Sequence, residues 1–174
     1  MALEDRAYFR LLYERYADRL YWYAAARTGS EAAADDIVSE TMLAALEHLE
    51  RWDPARGDFS AWLFGIARRK AADHRRAHQR VLRLIARAGR VVSPSETECD
   101  ALEHVLGTER ADEVHRALGR LSGKDREIIA LRYGAGLSGE EIAGALGISH
   151  AAARKRLSRA QGRLAELMEA SRDA

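Results

Sequence analysis

Two prolines, one cysteine and no apolar run near the ~18–20 residues of a membrane span set the first limits on this 174-residue chain. Scarce proline leaves long stretches free to be helical. The single Cys99 excludes an intramolecular disulfide and fits a reducing compartment, so a cytoplasmic location is expected. The start, MALEDRAYFR, has no signal-peptide pattern, and no membrane anchor is expected. Val, Ile and Thr are sparse and never alternate with polar residues, which removes the strand signal. What remains is rich in Ala, Leu, Arg and Glu, 47% hydrophobic and 32% charged, a soluble, core-forming and helical balance.

The net charge is only +1, but it is laid out in blocks. Residues 31–50 hold six acids and no Lys or Arg. Residues 51–92 hold eleven Lys/Arg against three acids. Residues 93–113 return to seven acids against Arg110, and the segment from Arg154 to Arg163 carries five basic groups and no acid. Each basic block alone reads as readily as a solvated helix face. Together they offer a polyanion two separate places to bind.

Along the chain, Phe9, Leu12, Tyr16 and Leu20 stand at helical spacing, and Gly29 stops that helix. Ser30 caps the next, whose inner side carries Ile37, Thr41, Ala44 and the ridge Met42–Leu46–Leu49. DPARGDF reads as an ordered turn, and Ser60 is expected to cap a long basic helix after it. From Gly89 to about Gly107 periodicity fades, predicting a flexible linker (89–108) between domains 1–88 and 109–174. The second domain opens with Val114, Leu118 and Leu121. Ser122-x-x-Asp125 then starts a helix bearing Ile128, Ile129 and Leu131.

GAGLSGEEIAGALGIS, residues 134–149, spells G-x-G-x-x-G at Gly134, Gly136 and Gly139. That pattern cradles a pyrophosphate only where a strand meets a helix, and KDREIIALRY before it is charged and helix-periodic. A helix-turn-helix accounts for more of the same letters. Ser138 and Glu141 form a capping box, Ile142 and Leu146 face inward, and Ala143 is small where two helices cross. Gly147 makes the turn, Ile148 plugs the junction, Ser149 caps the second helix, and Ala153 with Leu157 return to the core. Its outer face carries His150, Ala151, Arg154, Lys155, Arg159 and Arg163, short at the start and cationic after it. That suits entry into a major groove.

With that motif placed, LGRLSGKDREIIALRYGAGLSGEEIAGALGISHAAARKRLSRAQGRL resembles region 4 of bacterial sigma factors, especially the extracytoplasmic-function (ECF) group. FRLLYERYADRLYWYAAARTGS, AADDIVSETMLAAL and GDFSAWLFGIARRKAADHRR are similar to region 2 of that group. The resemblance implies an all-α protein of two small helical domains, a region 2-like bundle and a region 4-like helix-turn-helix domain. It implies an alternative sigma factor that binds core RNA polymerase at the clamp helices and flap, recognises duplex and melted promoter DNA, and is held by an anti-sigma factor. Asp35, Asp36, Ser39 and Glu40 match the part that docks on polymerase. Trp52 and Phe59 with Arg68, Arg69, Lys70, Asp73, Arg75, Arg76 and Arg80 match the part that opens the −10 element. Ser149, His150, Ala151, Arg154, Lys155 and Arg159 would read the −35 element.

Some readings stay open at this point. Trp52 either packs its loop or contacts a base, and Asp73 either orients an arginine or meets a cytosine amino group. Trp62 and Ile66, four residues apart, read as core. The chain departs from the family pattern at Ser39, Met42 and Arg69, and at Ala151-Ala152-Ala153, where a threonine hydroxyl is common. His74 and His78 lie among arginines that repel a cation, so no metal, no cofactor and no catalytic residue is expected. A stand-alone helix-turn-helix activator and a helical adaptor without a DNA role are the rival readings.

Overall fold

The computed structural model describes residues 3–87 and 109–172. The linker expectation and Cys99 lie outside those residues. All regular structure among the described residues is helical. The N-terminal half has α1 (Leu3–Thr28), α2 (Glu31–Glu47) and α3 (Phe59–Arg87). The C-terminal half has α4 (Glu109–Arg120), α5 (Gly123–Ile129), a five-residue π-helical segment (Ala130–Gly134), α6 (Gly139–Leu146) and α7 (His150–Arg172).

The local signals act where they stand in the sequence. Gly29 takes φ 72° and donates its N–H to the Ala25 carbonyl at 2.8 Å, a left-handed stop that glycine adopts without strain. Ser30 Oγ accepts the Ala33 N–H at 3.3 Å and opens α2. α2 buries Ile37, Val38, Thr41, Met42 and Ala45. Two 3₁₀ turns follow, the second held by Asp53 Oδ1, which accepts the Ala55 N–H at 3.0 Å. The first turns of α3 bury Leu63, Phe64, Ile66, Ala67 and Ala71, while every side chain from Arg75 to Leu84 is exposed.

One core runs through both halves. Leu20, Leu63, Phe64, Ile128, Leu131 and Leu137 are fully buried, each contributing about 1.5–3 kcal/mol of transfer free energy. Tyr23 packs edge-on against Phe64, ring centroids 5.8 Å apart. Small residues let α3 and α6 approach closely. A Cβ on Gly144 would lie 2.9 Å from the Ala61 Cβ, and one on Gly65 would lie 3.9 Å from the Ala145 carbonyl. Polar links cross the same boundary: Arg19 Nε donates to the Ala135 carbonyl at 2.7 Å, and Arg27 to the Gly123 carbonyl at 2.9 Å.

Two local expectations are corrected. Ser60 does not cap α3, which starts at Phe59, where the Asp58 carbonyl accepts the Trp62 N–H at 3.2 Å. Ser60 is buried instead, and its hydroxyl donates to Glu141 across the boundary between the halves. The helix from Ser122 is also not regular to its end. The Ala135 N–H reaches back to Ala130 and the Leu137 N–H to Leu131, widening the last turn so that Ala135 and Leu137 bury with Leu131.

Candidate nucleic-acid and polymerase surfaces

The helix-turn-helix is built as its residues suggest. Ser138 Oγ accepts the Glu141 N–H at 3.2 Å while Glu141 Oε2 accepts the Ser138 N–H at 2.7 Å, a reciprocal capping box. Gly147 takes φ 66°, ψ 37°, and the Ile148 N–H donates to the Ala143 carbonyl at 3.0 Å. Ser149 Oγ accepts the Ala152 N–H at 3.2 Å and caps α7. Ala153 and Ala160 face the core, leaving His150, Ala151, Arg154, Lys155 and Arg159 exposed on the opposite side. Arg154, Lys155 and Arg159 make no ion pair among the described residues, so their charge is available to phosphate.

Arg163 does not belong with them. It donates to the buried Asp125 Oδ2 at 2.6 Å, so its charge is already engaged although its side chain stays exposed on the surface as expected. Ser122 adds a hydrogen bond to the same carboxylate at 2.7 Å. Burial pushes the Asp125 carboxyl up, but the bonds from Ser122 and Arg163 outweigh it and hold the group below the ordinary range.

The turn before α3 is an aromatic corner. Trp52 Nε1 donates to the Gly57 carbonyl at 3.3 Å, and its ring meets Phe59 edge-on at 5.3 Å. Phe59 in turn lies against Trp62 and Tyr16. Trp52 therefore packs its loop while staying only half-buried. Ile66 is core, and Trp62 packs against that core half-buried. The α3 cations divide by their partners. Lys70 pairs with Glu40 of α2 at 3.2 Å, Asp73 pairs with Arg76, and Arg80 Nε donates to the Arg76 carbonyl at 3.4 Å. Arg69 and Arg75 have no ion pair among the described residues.

Arg68 is engaged with a residue that sequence reasoning did not single out. Glu127, buried in α5, meets Arg68 Nε of α3 at 3.2 Å, Arg156 of α7 at 3.2 Å and Arg27 of α1 at 3.9 Å. In KDREIIALRY it reads as one surface charge among several. Only the contact between halves encloses it, so no local signal could have marked it. Tyr23 lies near the same group. Burial pushes its hydroxyl up to about 12 against the pull of the Arg27 charge, so it is neutral at physiological pH.

Asp35, Asp36, Ser39 and Glu40 are all exposed on the outer side of α2. Among the described residues, Glu40 is the one of these that makes an ion pair, with Lys70, joining the acidic face to the basic helix.

A capped, cationic helix-turn-helix joined to a helical bundle with an acidic outer face has the build of a helical DNA-binding factor. The family pattern Sigma-70 region 2 matches residues 12–81, and Sigma-70, region 4 matches residues 111–164. The ECF RNA polymerase sigma factor SigD of Mycobacterium tuberculosis is 35% identical over 97% of this chain and 81% of that protein. BldN of Streptomyces coelicolor, an ECF RNA polymerase sigma factor, is 34% identical over 92% of this chain, which spans 60% of its length. The solved structure of CnrH in complex with the cytosolic domain of CnrY superposes with a TM-score of 0.69 at 30% identity, over 95% of this chain and 90% of that one. The chain belongs to the ECF RNA polymerase sigma factors, a non-enzymatic family that directs RNA polymerase to promoters. The stand-alone activator and the adaptor give way to that membership.

Proposed function

We propose that this chain works as an alternative sigma factor through three surfaces, with residues 1–88 serving polymerase and the −10 element and residues 109–174 serving the −35 element. The observation that carries this reading is the recognition helix, where Arg154, Lys155 and Arg159 lie exposed and, among the described residues, without ion pairs behind a sound cap. Its short first residues, Ser149 to Ala152, let the helix end approach base edges while the cations hold phosphate.

On the N-terminal half, Asp35, Asp36, Ser39 and Glu40 form the polymerase surface. Exposed carboxylates pair with basic groups of the clamp helices and speed a salt-sensitive encounter. The aromatic corner of Trp52 and Phe59 receives unstacked bases of the melted −10 strand, and Arg69, Lys70, Arg75, Arg76 and Arg80 track its phosphates. Arg68 joins them fully once Glu127 releases it, which separation of the two halves brings about. The flap of polymerase then holds the C-terminal half over the −35 duplex. An anti-sigma factor is the expected restraining partner, in keeping with the bound domain in the CnrH structure. The place of action is the cytoplasm, and no helix among the described residues is long and apolar enough to cross a membrane.

The test is transcription in vitro with purified chain, sigma-free core polymerase and genomic DNA, mapping transcript 5′ ends. Discrete starts sharing an upstream two-part motif are expected. Binding to core without any discrete start would sink the reading.

A further inference from the structure

The Glu127 cluster forms the floor of a cleft of about 700 Å³ between α3 and the α5–α7 wall, within the range of small-molecule sites. Among the described residues, six arginines and Lys124 line it against Glu127 as the one carboxylate. Three of those cations, Arg27, Arg68 and Arg156, share that single carboxylate. Arg69, Arg75 and Lys124 have no ion pair among the described residues. Arg27 is 8% exposed, and its Nε has no hydrogen-bond partner among the described residues; nor does Arg156 Nε. Both guanidinium groups are held by backbone carbonyls, Arg27 by Gly123 and Arg156 by Lys124, so the excess charge of Arg69, Arg75 and Lys124 is the standing electrostatic cost that an anion in the cleft removes.

The chemistry of the walls narrows the anion. Guanidinium forks match phosphate oxygens two at a time, so several arginines facing one space suit a chain of linked phosphates better than a single carboxylate. Among the described residues, Ala72 is the only apolar side chain in the lining and no aromatic ring faces it. An amphipathic peptide helix would find no apolar seat there, and a nucleobase would find nothing to stack on. Both walls are needed: α3 brings Arg68, Arg69 and Arg75, while the C-terminal half brings Lys124 and Arg156. Arg75 already leans across, its guanidinium 2.8 Å from where a Cβ on Gly123 would stand.

We propose that this cleft is a binding site for a small oligophosphate anion, free or carried at the end of a nucleotide, which bridges the two halves and holds them together. The inference goes beyond promoter recognition and does not depend on it.

The experiment is isothermal titration of the full chain with inorganic tripolyphosphate at fixed ionic strength, alongside sulfate and ATP. Saturable binding of one tripolyphosphate per chain is expected, with a rise in thermal midpoint as it binds. The exposed pair Arg75→Ala and Lys124→Ala, one from each wall, should weaken it at least about tenfold. Equal affinity for tripolyphosphate and ATP means that the phosphate chain alone is read. Tighter ATP binding makes a nucleotide the source. Either supports the site. Tripolyphosphate binding no better than sulfate, or unaffected by the paired substitution, would overturn it.

Discussion

Ser60, in the first turn of α3, donates its hydroxyl to the Glu141 carboxylate of the helix-turn-helix, while the other oxygen of Glu141 accepts the Ser138 N–H that opens α6. One side chain thus caps the DNA-reading motif and ties it to the N-terminal half. Glu141→Ala should cost about 1–2 kcal/mol, the size of a missing helix cap. Ser60→Ala, which removes only the link between halves, should cost about 1 kcal/mol. Urea unfolding of both variants checks the order. Equal costs would mean that the capping bond contributes nothing.

Acid should weaken this fold in a defined window. Burial pushes the Glu141 carboxyl up, but bonds from Ser60 and Ser138 outweigh it and hold the group below its ordinary value, as Ser122 and Arg163 do for Asp125. A depressed folded pKa gives stability that is present above the unfolded value, near ~4, and lost as pH falls through the folded one. The urea midpoint should therefore hold between about pH 7 and 5 and fall below ~4, with a shallower fall in Asp125→Asn, Glu141→Gln. A wild-type midpoint unchanged down to pH ~3 would contradict this linkage.

Glu127 is the counter-charge for Arg27, Arg68 and Arg156 at once. Glu127→Ala leaves three cations facing each other where the halves meet, a change of about 3 kcal/mol for removing one partner of a buried pair. Small-angle scattering should show a larger radius as the halves separate. A destabilised chain of unchanged size would place the cost within one half instead.

Gly144 offers a way to strain the same boundary without touching a charge. Its missing Cβ is the reason α6 can lie against Ala61, so Gly144→Val must push the helices apart. A cost of about 1–3 kcal/mol is expected, with the α7 outer face intact. Thermal unfolding checks the first part, and duplex binding at low salt checks the second.

The recognition helix predicts a salt signature. Replacing Arg154, Lys155 or Arg159 singly by Ala should lower promoter-dependent transcription and reduce the slope of log K against log salt by about 0.9 for each phosphate that is no longer neutralised. Unchanged slopes in all three variants would remove this face from DNA binding.

Much of this protein was legible in its letters because the signals are local. A capping box needs only Ser138 and Glu141 three residues apart, a left-handed stop needs only Gly29 or Gly147, and helical spacing alone sends Ile37, Met42 and Ile142 inward. The same locality exposes Arg154, Lys155 and Arg159, since a helix with one apolar side must turn the other to water. The tertiary structure decided what no local pattern encodes. Ser60 left its expected cap for a partner 81 positions away, and Arg163, though exposed, paired with the buried Asp125. Glu127 became the shared anchor of three helices. The Ser60 and Glu127 contacts depend on which surfaces meet when the halves pack, and the Arg163 contact on how α5 meets α7 within the C-terminal half. A charge ordinary in water becomes decisive once packing removes the solvent around it, because desolvation then makes its choice of partner a large energy.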